Sequence, residues 1–108
     1  MATYLSTTFS PMMLGGGVAG YVRVITLAQA QVLLQDGFVS AVGHEVTAEV
    51  LSALLGRKVG FSRIPLTLKA GDSLICIVPC FRAEVAREFT RDEVEAAGYR
   101  CFQVLVAR

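Results

Sequence analysis

The run Leu74-Ile75-Cys76-Ile77-Val78 most limits what this chain can become. Preceded by Ser73 and the turn residues Lys69-Ala70-Gly71-Asp72, it reads as a central strand buried on both faces. A strand of that kind needs cover above and below, and the rest of the chain offers it. Thr3 to Phe9 reads as a strand that stops at Ser10-Pro11, and Gly15-Gly16-Gly17 as a flexible connection. Tyr21 to Ile25 reads as a second strand. Thr26 and Gln29 have capping-box spacing and open a helix with Leu27, Ala30, Val32, Leu33 and Leu34 on its apolar side and Gly37 as its stop.

Phe38 to Gly43 reads as a short link into a second helix, which starts at His44-Glu45 and ends at Gly56. Its apolar face carries Thr47, Val50, Leu51, Leu54 and Leu55. Ile64-Pro65-Leu66-Thr67-Leu68 alternates like a strand, placed at an edge or strand start because Pro65 cannot donate to a ladder. Thr90 and Glu93 repeat the capping-box spacing and open a helix that ends at Gly98, and Tyr99 to Val106 is a final strand. The expectation is an α/β fold: a single small domain over residues 1–108, with a mixed sheet flanked by helices in the order β-β-α-α-β-β-α-β.

The hydrophobic fraction, 54%, is high for a chain of 108 residues, yet no apolar run approaches the roughly 18 residues that span a bilayer. The excess predicts a second buried face, most simply a homodimer interface. A net charge of +1 excludes coating of long nucleic acid by charge alone. Cys76, Cys80 and Cys101 are an odd set without a signal-peptide start, which predicts reduced thiols and a cytoplasmic setting. A metal site is not expected, because one histidine and this cysteine spacing match no familiar ligand set.

His44 is the one histidine in the chain. It stands at a helix mouth, where free backbone N–H groups and a partial positive charge attract anions. An imidazole there suits proton donation to a phosphate ester, and it equally suits an ordinary polar residue at a helix end. Arg63 lies just before one predicted strand and Arg82 just past another. Arginine forks suit phosphate oxygens when strand ends converge, and each alone is also an ordinary surface arginine. The segment from Ala83 to Phe89 is either a movable lid or a connector.

Taken in order, Tyr4-Leu5 with Phe9-Ser10, the block from Gly37-Phe38 through Ser40-Ala41, Gly43-His44-Glu45 and Thr47-Ala48 to Leu54-Leu55-Gly56, then Arg63-Ile64, Leu68-Lys69, Gly71-Asp72 and Arg82, resemble the viral and prophage ring nucleases, the anti-CRISPR enzymes that act against type III systems. The resemblance spans nearly the whole chain, and the block from Gly37 to Gly56 is its most specific part. It implies a homodimer whose two subunits form one pocket for cyclic tetra-adenylate. It also implies metal-independent cleavage of that ring to linear di-adenylate, without a cofactor, in the host cytoplasm if the protein is viral. His44 matches the family's catalytic histidine, Ser10 a ligand-contacting serine, and Arg63 and Arg82 ligand-binding arginines. Leu66 falls at an apolar ligand-facing position, and Glu84 is the nearest match to a glutamate after the second arginine, with Glu88 the alternative under a one-residue shift. Thr7 stands where the family has asparagine and is the expected substrate contact there; Met12 and Val78 also replace polar residues of the family pattern.

The alternative function is a sponge that binds a cyclic nucleotide without cutting it. Such a protein needs the arginines and Ser10 but no proton donor, so His44 favours the enzyme. A small DNA-binding regulator is a third class, disfavoured by the near-neutral charge and the lack of a basic recognition helix.

Overall fold

A computed structural model describes residues 1–108. Its strands are β1 (Thr3–Ser6), β2 (Ala19–Ile25), β3 (Val39–Ser40), β4 (Ser73–Pro79) and β5 (Tyr99–Ala107), and its helices are α1 (Leu27–Leu34), α2 (Glu45–Leu55) and α3 (Arg91–Ala97). The five strands form one mixed sheet in the order β2-β5-β4-β1-β3. The apolar run Leu74-Ile75-Cys76-Ile77-Val78 lies in its middle strand: β4 pairs in parallel with β1 and antiparallel with β5. Ile75 and Ile77 enter a large core and Leu74 a smaller one on the opposite face, all fully buried.

The large core lies between the sheet and the helices. Leu27, Ala30 and Leu34 of α1, Ala48, Val50, Leu51, Leu54 and Leu55 of α2, and Val94 of α3 pack there against Leu5, Ile25 and Cys101. The capping boxes that predicted α1 and α3 both form, with Thr26 accepting from Gln29 N–H and Thr90 from Glu93 N–H. Gly56 ends α2 in the left-handed conformation at φ 68°, which L side chains adopt at a cost. Val32, expected on the apolar side of α1, is instead 64% exposed.

Three expectations are corrected. The segment 64–68 forms no strand; its one ladder pairing is an isolated parallel bridge between Leu68 and Leu14. Pro65 has no N–H to give, and the alternation that suggested a strand has another cause. The chain crosses the second sheet face with Ile64 exposed, Leu66 half-buried and Leu68 fully buried against Leu74, Val104 and Val106. The fifth strand is β3, inside the stretch expected to be a link; two residues are too short to show a period, and tertiary pairing of Tyr4 with Val39 and Leu5 with Ser40 defines it. The observed order is therefore β-β-α-β-α-β-α-β. The first strand also stops at Ser6 instead of Phe9, where the Ser6 hydroxyl accepts from Thr8 N–H and turns the chain.

The parallel strands β1 and β3 shape a crevice at their carboxyl ends. β1 leaves toward the second face, through a short 3-10 turn at Pro11–Met13 whose Met13 and Leu14 pack on the smaller core. β3 leaves toward the helical face, into α2. Neighbouring parallel strands whose chains depart to opposite faces open a crevice beyond their carboxyl ends, the usual ligand position in open α/β sheets.

Candidate functional site

That crevice holds His44. Ser6, Thr7 and Thr8 from the end of β1 face Ala41, Gly43 and His44 from the end of β3 across a cleft of about 480 Å³, and Arg63 closes its rim. His44 is the N-cap of α2 with extended backbone (φ −132°, ψ 135°), and its side chain makes no capping hydrogen bond. The imidazole is exposed and left available to the cleft. Its carbonyl starts the helix by accepting from Ala48 N–H at 3.0 Å.

Arg63 reaches this place by a chain of local bonds. Past Gly56, the Val59 N–H donates to the Ser52 hydroxyl at 2.9 Å, and that hydroxyl donates to the Ala48 carbonyl at 2.7 Å. The Ser40 hydroxyl donates to the Gly60 carbonyl at 2.6 Å, and Ser62 N–H donates to the Val42 carbonyl at 2.7 Å. The segment is thus laid back along the link between β3 and α2. Arg63 then lies over Gly43: its Nε donates to the Gly43 carbonyl at 2.9 Å, and its Nη2 stands 3.3 Å from Nδ1 of His44. The Arg63 stem lies directly over Gly43, with Cγ 3.4 Å from where a Cβ on that residue would stand, an ordinary van der Waals contact.

Arg82 occupies a neighbouring cleft of about 250 Å³, between the end of β4 and the first turns of α2. Thr47, Val78 and Phe81 line it, and Thr7 lines it as well. Thr7 therefore stands between the His44–Arg63 cleft and the Arg82 cleft. It also borders a third, mostly apolar cleft of about 390 Å³ over Cys76, Val78 and Phe102 on the second sheet face.

The remaining predicted positions are dispersed. Ser10 caps the 3-10 turn, its hydroxyl accepting from Met12 N–H at 3.3 Å, and does not line the His44 cleft. Leu66 packs against the smaller core. Glu84 is exposed in the loop after β4, and Glu88 follows Arg87, whose Nη1 donates to the Glu88 carbonyl at 2.8 Å. Thr47, which periodicity assigns to the apolar face of α2, instead lines the Arg82 cleft. A threonine among leucines one turn from a helix mouth was the available signal.

The thiols do not assemble into a reactive centre. Burial pushes Cys76 up to about 11, with Cys101 adding to it, and burial pushes Cys101 up to about 11. Both are thiols, poor nucleophiles, at neutral pH. Cys80 lies just past β4 and is exposed. No three His, Cys, Asp or Glu side chains gather as a metal-binding group, and no helix is long and apolar enough to cross a membrane.

The chain is similar to one viral protein in sequence and to another in fold. The chain is 32% identical over 101 residues to "Uncharacterized protein 26" of Sulfolobus islandicus filamentous virus (isolate Iceland/Hveragerdi), covering 92% of this chain and 86% of that protein. The fold is that of B116 of Sulfolobus turreted icosahedral virus, with a TM-score of 0.84 at 17% identity over 97% of this chain and 99% of that one. The family model described as STIV B116-like matches residues 3–101. On the extent of that match, the chain with its histidine-mouthed crevice belongs to the STIV B116-like family.

Proposed function

We propose that the protein is a metal-independent ring nuclease: it binds cyclic tetra-adenylate and cleaves it to linear di-adenylate, with His44 as general acid, switching off type III CRISPR signalling in the cytoplasm. The observation that carries this reading is the position of Thr7, between a cleft holding His44 with Arg63 and a cleft holding Arg82. One strand end thereby joins a proton donor and two phosphate-binding cations on a continuous surface. The resemblance of the block from Gly37 to Gly56 to ring nucleases supplies the substrate class.

The reaction needs no group foreign to this site. A ribose 2′-oxygen forms a bond to the adjacent phosphorus as its proton passes to solvent. The bond from phosphorus to the 5′-oxygen breaks, and that oxygen takes a proton from His44. The products carry a 2′,3′-cyclic phosphate at one end and a 5′-hydroxyl at the other. Arg63 and Arg82 offset the charge that grows on the phosphoryl oxygens, and the shape of the crevice holds the sugar in line. Thr7 presents a hydroxyl at the junction, where it donates to a phosphate or ribose oxygen.

A second copy completes the pocket in this reading. Val39 of the edge strand β3, and Phe61 and Ile64 beside Arg63, are 47%, 57% and 39% exposed, apolar surface near the cleft of the kind that a homodimer covers. Two copies related by a two-fold axis bring two His44 side chains to one ring, so that two opposite phosphates are cut in turn, the first cut opening the ring and the second yielding two linear di-adenylates.

The test is incubation of the protein with cyclic tri-, tetra- and hexa-adenylate in excess EDTA, followed by chromatography. Linear di-adenylate from the four-membered ring is the expected result. Ring recovered intact but protein-bound identifies a sponge, and product that forms only after metal is added overturns the metal-independent route.

A further inference from the structure

We propose that Arg63 is a positioning residue that holds His44 in its neutral, Nε2-protonated form while the cleft is empty and frees the ring when an anion draws the guanidinium away. The resting half follows from donor chemistry. Arg63 Nη2 stands 3.3 Å from Nδ1 of His44, at the long end of hydrogen-bond range. A guanidinium has N–H donors and no acceptor. Nδ1 therefore accepts, and the proton of the neutral ring sits on Nε2. The arginine is itself fixed at a second point, by Nε donating to the Gly43 carbonyl at 2.9 Å. Two-point attachment is what a planar fork provides and an ammonium does not.

The same contact conflicts with proton donation. An imidazolium carries a proton on both nitrogens, and an N–H at Nδ1 would face the N–H of Arg63. The engaged arginine and the acid form of His44 exclude one another. Arg63 is the one other ionisable side chain lining this cleft, since its remaining walls are Ser6, Thr7, Thr8 and apolar residues; Glu45, next in the chain, makes no hydrogen bond to the ring. A phosphate oxygen is a stronger partner for a guanidinium than a neutral imidazole nitrogen. An anion in the cleft thus takes Arg63, and the vacated Nδ1 is free to take a proton from solvent. The site holds its acid form back until the group to be cleaved has arrived. The release half rests on the proposed ring cleavage, and the resting half does not.

The single histidine makes the test direct, because one set of ¹⁵N imidazole signals belongs to His44. In the ligand-free protein near neutral pH, the Nδ1 signal is expected in the unprotonated range and the Nε2 signal in the protonated range. Arg63→Met, which keeps an apolar stem at an exposed position, is expected to show a mixture of both tautomers. Arg63→Lys is expected to restore the wild-type tautomer in part, because it retains a donor but loses the second anchor. Identical ring signals in wild type and Arg63→Met overturn the resting half. For release, a 2′-O-methylated cyclic tetra-adenylate is added, a ring that carries no attacking hydroxyl. The expected result is a shift of Nδ1 toward the protonated range in wild type, larger than in Arg63→Met. Backbone signals that move while the His44 ring stays unchanged overturn the release. A ring that moves no signal anywhere defeats the nuclease reading and the release half with it, while the tautomer comparison still stands or falls by itself.

Discussion

The two walls of the crevice are built differently. The His44–Arg63 wall is fixed by hydrogen bonds to backbone groups: Gly56 closes α2, the Ser52 hydroxyl ties residue 59 to the helix, and Ser62 N–H and Arg63 Nε bond to carbonyls of the link that precedes His44. The Arg82 wall belongs to the loop between β4 and α3, which contains no helix or strand. Phe81, Ala83 and Phe89 rest on the large core, and Phe81 and Phe89 meet at a centroid distance of 6.5 Å. Arg87 adds an exposed ion pair to Glu93 at 2.7 Å and lies over the Phe89 ring at 4.0 Å. Arg82 itself is exposed and has no ion-pair partner. Under the proposed function the two walls have separate tasks: the one that would do chemistry is tied to the backbone in advance, and the one that would grip the ligand is held by side-chain packing.

The largest expected effect lies on the fixed wall. His44→Gln should lower single-turnover cleavage of cyclic tetra-adenylate by about 10²–10⁴-fold, the usual worth of a general acid. Ring affinity, measured by calorimetry, should stay near wild type. Cleavage that survives at the wild-type rate would end the assignment. On the gripping wall, Arg82→Ala should behave in the opposite sense. It is expected to weaken ring binding by an amount typical of a hydrogen bond to a charged group, about 1.5–3 kcal/mol, while the melting temperature stays unchanged. A falling melting temperature would show that Arg82 is structural and that the two walls are not so distinct.

A stability test sharpens the same contrast. Ser52→Ala orphans the half-buried Val59 N–H and is expected to destabilise the domain by about 1–3 kcal/mol, read as the denaturant midpoint. Cleavage should fall as well, because Arg63 hangs from that segment. The smallest effect belongs to the loop. The Arg87 hydrogen bond, followed by the Thr90 backbone, pulls Glu93 from 4.5 down to about 2. A depressed carboxylate contributes above its ordinary value, so the contact is fully present above about pH 4.5 and is lost as the pH falls through about 2. In the Arg87→Met variant the Glu93 carboxyl, followed by ¹³C NMR, should titrate closer to 4.5. An unchanged midpoint would mean that Arg87 does not hold the start of α3. Full exposure keeps the effect on stability small.

Much of the fold was legible because its signals are local. A strand buried on both sides is a short apolar run, and β4 follows Leu74-Ile75-Cys76-Ile77-Val78 with one residue added at each end. Thr26 with Gln29 and Thr90 with Glu93 encode helix starts within four residues, and both capping boxes form. β3 was illegible because two residues carry no period and gain their ladder from β1, which lies more than thirty residues earlier in the chain. The segment from Ile64 to Leu68 misled for a related reason: alternation reports which side chains are buried, and a loop crossing a packed face buries alternate residues as a strand does.

The candidate site divides along the same line. Sequence by itself determined the α/β class, the helix mouth at His44 and the identity of the available chemistry: one imidazole, a few arginines and thiols placed in core-like strands. Tertiary structure decided which of these meet. It brought Arg63 across 19 positions to the His44 ring, put Thr7 between two clefts, and moved Leu66 away into the second core. The physical reason is the reach of the forces involved. Capping bonds and side-chain periodicity act over a turn or a pleat and are written in adjacent residues, whereas a crevice forms where distant strands end together and their chains depart to opposite faces.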